Sequence, residues 1–176
     1  EFGQTSTVAT AKVKKGAYAF KYTLAPGEPV LQYAITGFGE GKSIALFVEP
    51  GEVAVNTSTA AQPEQSTVVG TPTNDTYAAY QAIASEGRDR VAQQMAALEA
   101  LHGAAWLESA EGKQEVKRIK AKEAIKTEAE EIRFLIDHNA SPMTPMVIEQ
   151  TQFPKLSEAY AEQITKTIAV SLQEHP

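Results

Sequence analysis

Short apolar runs separated by Gly, Pro and polar turns mark the first part of the chain. Thr7–Val13 alternates loosely, Lys15-Gly16 turns, and Ala17–Leu24 alternates around Tyr18, Phe20 and Tyr22. Period-two alternation of this kind predicts half-buried strands. Ala25-Pro26-Gly27-Glu28-Pro29 is a break. Val30–Thr36, Ser43–Glu49, Glu52–Thr57 and Ser66–Val69 read as further strands, joined by Gly37–Lys42, Pro50-Gly51 and the polar stretch Ser58–Gln65. Connections this short exclude a crossover helix, so the strands are expected to form an antiparallel meander.

Near residue 74 the period changes from two to about 3.6. Ala, Glu, Lys, Gln and Leu replace Thr, Val and Gly, a shift from strand-forming to helix-forming residues. Asn74-Asp75 offers N-caps for a first helix with the stripe Tyr77, Tyr80, Ala84, Val91, Met95, Leu98 and Leu101 or His102, ending by Ser109. Gly112 precedes a second, striped by Val116, Ile119, Ile125, Ile132 and Ile136 and broken at Asn139–Ser141. Ser141-Pro142 is an N-cap and N1 pair for a short third helix over 142–151. After Phe153-Pro154, Ser157 caps a fourth with Tyr160, Ile164, Ile168 and Leu172 on one face. Strands followed by helices predict an α+β fold: a small antiparallel β-sheet or sandwich domain over 1–73, then a helical subdomain of about four helices over 74–176.

Composition narrows the chemistry. The 176 residues contain no cysteine, which excludes disulfides, thiol catalysis and Cys-type metal sites within this sequence. A net charge of −6 argues against nucleic acid as the main partner. The best apolar run, Ile44–Val48, is far short of the roughly 20 residues of a membrane span. Glu1-Phe2-Gly3-Gln4 has neither the basic nor the apolar region of a signal peptide.

The candidate motifs are weak. Gly37-Phe38-Gly39-Glu40-Gly41-Lys42-Ser43 resembles a phosphate loop, but Thr36 stands where the first Gly belongs and a strand, not a helix, follows. His102, His138 and His175 lack the spacing of a metal motif. Glu128, Glu130 and Glu131 are expected on a solvated helix face with Lys126 and Arg133, and the basic run Lys117–Lys122 is balanced by Glu111, Glu115 and Glu123. Asn56, Asn74 and Asn139 begin glycosylation patterns, the latter two also fitting helix boundaries. Tyr18, Phe20, Tyr22 and Tyr33 are expected to supply half of a sheet core, and Trp106 a packing anchor. No catalytic, cofactor-binding or metal-ligating residue is assigned, and no cofactor is expected.

Three stretches carry a family resemblance. Val13-Lys14-Lys15-Gly16-Ala17-Tyr18-Ala19-Phe20, with Pro29 and Tyr33, resembles a strand pair of the form V-x-x-G-x-F-x-F followed by P-x-x-Y. Leu46-Phe47-Val48-Glu49-Pro50-Gly51-Glu52-Val53 is similar to its hairpin, followed by Val69–Asp75. Phe134–Pro142 and the closing Ser171–Pro176 complete the order. The family is the domain of unknown function that precedes the thioredoxin-like domain in bacterial cell-envelope thiol:disulfide interchange proteins. The resemblance implies a small antiparallel β domain followed by helices, an extracytoplasmic location in the periplasm or cell envelope, and a lipid anchor in the full-length form. It also implies that a thioredoxin-like domain with a Cys-x-x-Cys motif follows. This sequence departs from the family in having neither that motif nor the opening strands expected before Thr7, so no catalytic residue is carried over.

The expected function is therefore a non-catalytic N-terminal accessory module of an envelope thioredoxin-like oxidoreductase. It would position or dimerise the redox domain, or dock substrate proteins. Expected partners are its own C-terminal thioredoxin-like domain, substrate proteins or a second copy, with no nucleic acid and no membrane span. The alternatives are a stand-alone envelope protein binding peptide or glycan, and a hydrolase with a carboxylate site.

Overall fold

Residues 6–57, 59–152 and 166 are described by the computed structural model. The strands are β1 Leu31–Ile35, β2 Ile44–Val48, β3 Ala54–Asn56 and β4 Thr67–Val69. The helices are α1 Pro72–His102, α2 Ala104–Leu107, α3 Ala110–Asp137 and α4 Met143–Val147, with a π-helical turn over Ile148–Gln152. The architecture is α+β. β1 pairs antiparallel with β2, Tyr33 facing Leu46, and β3 pairs antiparallel with β4, Val55 facing Val68. The expected meander is thus two separate hairpins.

The two earliest expected strands do not form. Among the described residues, the only ladder contact between Thr7 and Leu24 is the bridge Lys14–Ala17 around the Lys15-Gly16 turn. Alternation makes a segment fit to be a strand, but a strand also needs a neighbour whose N–H and C=O groups face its own. β1 takes β2 as its neighbour, and neither segment joins that ladder. The expected sheet-core role fails for Phe20 and Tyr22, which are 43% and 38% exposed, whereas Tyr33 lies half-buried on β1 and Tyr18 is half-buried outside any strand.

The first helix starts earlier than Asn74-Asp75. Thr71 is the N-cap and Pro72 the first helical residue, where a fixed φ and a missing N–H cost nothing. The first turn is tied to β2. The Glu49 carboxylate accepts from the Thr73 N–H at 2.7 Å and from its hydroxyl at 2.8 Å. Asn74, released from capping, reaches the buried backbone of Phe47. α1 stops at Gly103, whose φ of 82° is open to glycine at little cost. α3 is capped by Ser109, whose Oγ accepts from the Gly112 N–H at 3.0 Å. Gly112 is therefore inside the second helix rather than before it. It lies against the Trp106 carbonyl and the Leu107 backbone, where a Cβ has no room. The third helix begins at Met143 with Pro142 as its cap, one residue later than expected, and ends in the π-helical turn. The fourth expected helix lies outside the described residues except for Lys166, which is helical and exposed.

One core joins these parts. Phe47 of β2 meets Tyr80 of α1, Ile132 and Leu135 of α3, Met143 and Val147 of α4, and Ile148. Tyr77 packs edge-on to Phe47 with ring centroids 5.5 Å apart, and Tyr80 lies 6.1 Å from Phe134. This core sits at the start of α1 and the end of α3. Beyond it the two helices continue as an antiparallel hairpin for roughly 30 Å.

Candidate functional site

The hairpin arm is built on a polar seam. Gly87 of α1 lies directly against the Thr127 side chain of α3, so a Cβ there would collide with it. That close approach brings Arg90 within reach of three α3 groups. Its Nε donates to Glu123 at 2.9 Å, and its terminal nitrogen donates to Glu130 at 2.8 Å and to the Thr127 hydroxyl at 3.3 Å. Gln94, one turn on, donates to the other Glu123 oxygen at 3.0 Å. Glu123 is buried although charged, which such partners permit. The expected stripe position Ile125 is instead 70% exposed.

Hydrogen bonds from Arg90, then from Gln94, hold the Glu123 carboxyl below its ordinary pKa, working against desolvation. A carboxylate with a lowered folded-state pKa binds fewer protons when folded than when unfolded. Its stabilisation is full above the unfolded pKa, about 4.3, and is lost as pH falls through the lower folded value. Glu123→Gln is expected to lower the urea midpoint at pH 7 and to flatten the acid limb. The wild-type and variant curves should converge once pH has fallen below the lowered folded-state value. Urea titrations across that range check this.

Beside the seam the two helices enclose an open groove of about 660 Å³. Small side chains line it, among them Ala84, Val91, Ala92 and Ala124, with Gly87 and Thr127 at the close approach. Arg88 and Lys120 on one hand and Glu128 and Glu131 on the other add charge of both signs. A groove of small residues lets another backbone approach closely; its mixed charges do not select a simple anion or cation. Among the described residues no group of three or more His, Asp or Glu is arranged to hold a metal ion.

The residues singled out in the sequence are dispersed. Gly37–Ser43 is the loop between β1 and β2, with Gly37, Gly39 and Gly41 at positive φ and Lys42 donating to the Ala61 carbonyl at 2.8 Å. The element that follows that loop is the strand β2, not a helix. His102 stacks on Trp106 at 4.1 Å at the arm's tip, and His138 stacks on Phe134 at 3.9 Å near the core. His175 lies outside the described residues. Asn56 is in β3, and the buried Asn74 is fully engaged by hydrogen bonds, which is incompatible with glycosylation. Arg118 in the basic run pairs with Glu115. Glu130 pairs with Arg90, so it is not merely part of a solvated face. Tyr18 lies 5.6 Å from Phe20 and Tyr22 5.8 Å from Tyr33. A hydrogen bond with Tyr33, then burial and the charge of Glu28, push the Tyr22 phenol up to about 12.

The sequence pattern does not mark Arg90, Gln94 or Thr127, because none of them belongs to an apolar stripe, and Glu123, expected to balance the basic run on its own helix, is instead held by Arg90 and Gln94 of α1. The signal for Glu123 is in its spacing: Gly112, Val116, Ile119, Glu123 and Glu130 recur every three, four or seven positions once polar members are admitted.

Compared with known proteins, the chain matches no curated protein and no solved structure. Residues 1–77, which include all four strands and the opening turns of α1 but not the arm beyond Tyr77, match the model of a domain of unknown function, DUF4369.

Proposed function

We propose that this chain is the non-catalytic accessory module of a cell-envelope thioredoxin-like thiol:disulfide oxidoreductase, positioning the redox domain or docking its substrate proteins. The observation that carries the reading is the arm. Its helices run well past the core, and its tip presents Leu101 at 74% exposure beside the His102–Trp106 stack. An exposed apolar tip on a stiff arm suits contact with another protein surface better than it suits chemistry. The absence of cysteine supports an accessory role, since thiol–disulfide exchange requires a thiolate. The match to a domain of unknown function over residues 1–77 supports a modular origin.

Sequencing the native reading frame on both sides of these residues tests the proposal. The expected result is a lipoprotein signal upstream and a Cys-x-x-Cys-bearing thioredoxin-like domain after Pro176. A stop codon directly after Pro176 would overturn it. The exposed rings of Phe20 and Tyr22 favour a second reading, an envelope protein that binds peptide or glycan through aromatic faces. A rise in Tm with unfolded peptides or oligosaccharides, abolished by Phe20→Ala with Tyr22→Ala, would support that reading.

A further inference from the structure

The stretch from Ser6 to Gly27 holds Lys12, Lys14, Lys15 and Lys21 and no acidic residue, in a chain whose net charge is −6. All four lysines are exposed, and none makes an ion pair among the described residues. Glu28, the next acidic residue, is turned to its own loop, accepting from the Ala25 N–H at 2.9 Å and the Tyr22 hydroxyl at 3.4 Å. The basic run on α3 differs: Glu115 and Glu123 flank it, and Arg118 is paired with Glu115. Apolar groups alternate with the free charges. Val13, between Lys12 and Lys14, is 68% exposed, and Phe20 and Tyr22 on either side of Lys21 are exposed too. We propose that this segment is a docking surface for an anionic lipid membrane. Its lysines meet the headgroup phosphates, while Val13, Phe20 and Tyr22 enter the boundary between headgroups and acyl chains.

The local fold brings the two kinds of group together. Lys15 and Gly16 both have positive φ, 51° and 79°, and Lys14 and Ala17 exchange backbone hydrogen bonds of 2.8 and 3.0 Å. The chain therefore doubles back in a tight turn. Lys12, Lys14 and Tyr18 line one open hollow of about 540 Å³, and Tyr18 lies edge-on to Phe20. A left-handed backbone is costly for lysine and cheap for Gly or Asn, so the turn carries a charge at its tip in spite of that cost. Exposed charges interleaved with exposed apolar groups match a surface that is anionic at its face and apolar beneath. Lysine stems are apolar and keep their ammonium heads at headgroup level, and tyrosine rings favour the membrane–water interface. Each lysine near an anionic leaflet strengthens binding about fivefold. The inference does not depend on the accessory-module reading: vesicle binding is a property of this chain, whereas that reading stands or falls on the neighbouring reading frame.

Co-sedimentation of the full chain with vesicles is the test. Binding is expected to vesicles of two parts phosphatidylcholine to one part phosphatidylglycerol. It should be at least about tenfold weaker on phosphatidylcholine alone and be lost in high salt. Lys12→Gln, Lys14→Gln and Lys15→Gln together should weaken binding by at least about tenfold. The same change of charge on α3, through Lys117→Gln, Lys120→Gln and Lys122→Gln, should leave most of it. Phe20→Ala with Tyr22→Ala should weaken binding several-fold, with far-UV circular dichroism showing that each variant stays folded. Failure to sediment with either vesicle overturns the proposal, as does equal binding to both. Equal loss from the two lysine triplets, or undiminished binding by the ring variant, overturns it as well. A rise in Tm with an anionic polysaccharide but no vesicle binding would assign the lysines to a glycan instead.

Discussion

Phe47→Ala is expected to lower the free energy of unfolding by about 3–5 kcal/mol, the range for removing a buried aromatic side chain. Phe47 is 1% exposed and is the β2 residue of the principal core cluster, in which it meets α1, α3 and α4. Truncation leaves a void among Tyr80, Leu135 and Met143, and loses the edge-on contact with Tyr77. The effect should be read by urea denaturation followed in parallel by far-UV circular dichroism and by the fluorescence of Trp106, the one tryptophan. If the arm and the strands unfold together, both probes move by the same amount. If the arm is held by its own seam of Arg90, Glu123 and Glu130, Trp106 at the tip will report a later transition than the ellipticity. A loss below about 1 kcal/mol would show that Phe47 does not carry the junction.

Asn74→Ala is expected to cost about 2–4 kcal/mol although it removes no large apolar group. The Asn74 side chain acts as a short substitute strand for β2. Its Oδ1 accepts from the Phe47 N–H at 2.9 Å, and its Nδ2 donates to the Phe47 carbonyl at 2.7 Å and to the Thr71 hydroxyl at 2.8 Å. All of this is buried, Asn74 itself being 1% exposed. Alanine would strand both backbone groups of Phe47 away from water, and each unmet group costs about 1–3 kcal/mol. Asn74→Asp separates geometry from size. It keeps an acceptor for the N–H but sets a carboxylate oxygen against the Phe47 carbonyl, so it should be no better tolerated than alanine. Retention of wild-type stability by Asn74→Asp would contradict the hydrogen-bond assignment.

How far these features were legible differs from residue to residue. β1 and β2 fall within a residue of the expected Val30–Thr36 and Ser43–Glu49, because each is a short apolar run between strong breakers. α1 and α3 exist as expected, but their ends moved. Thr71-Pro72 starts α1, and Gly103 with Ser109 separates the two long helices near their tip. Capping residue types favour a boundary at Asn74-Asp75, but the Asn74 side chain is taken by the buried backbone of Phe47, and Thr71-Pro72 starts the helix instead. Apolar spacing places Ile125 on the buried stripe, but it is 70% exposed, and Glu123 is the residue buried against α1.

By itself the sequence determined the class of the fold. Change of period from two to 3.6, the Gly and Pro punctuation and the lack of cysteine are local properties, and they suffice to order strands before helices and to remove thiol chemistry from this stretch. Tertiary structure decided everything that depends on a partner. Whether an alternating segment becomes a strand depends on forming a ladder with a neighbour, which Thr7–Val13 and Ala17–Leu24 do not do among the described residues. Whether a carboxylate is solvated or buried depends on which cation faces it, and Arg90 selected Glu123 and Glu130 from many acidic residues. The groove has the same origin. It exists because Gly87 lets α1 approach Thr127 of α3, a contact between residues far apart in the chain that periodicity within either helix does not encode.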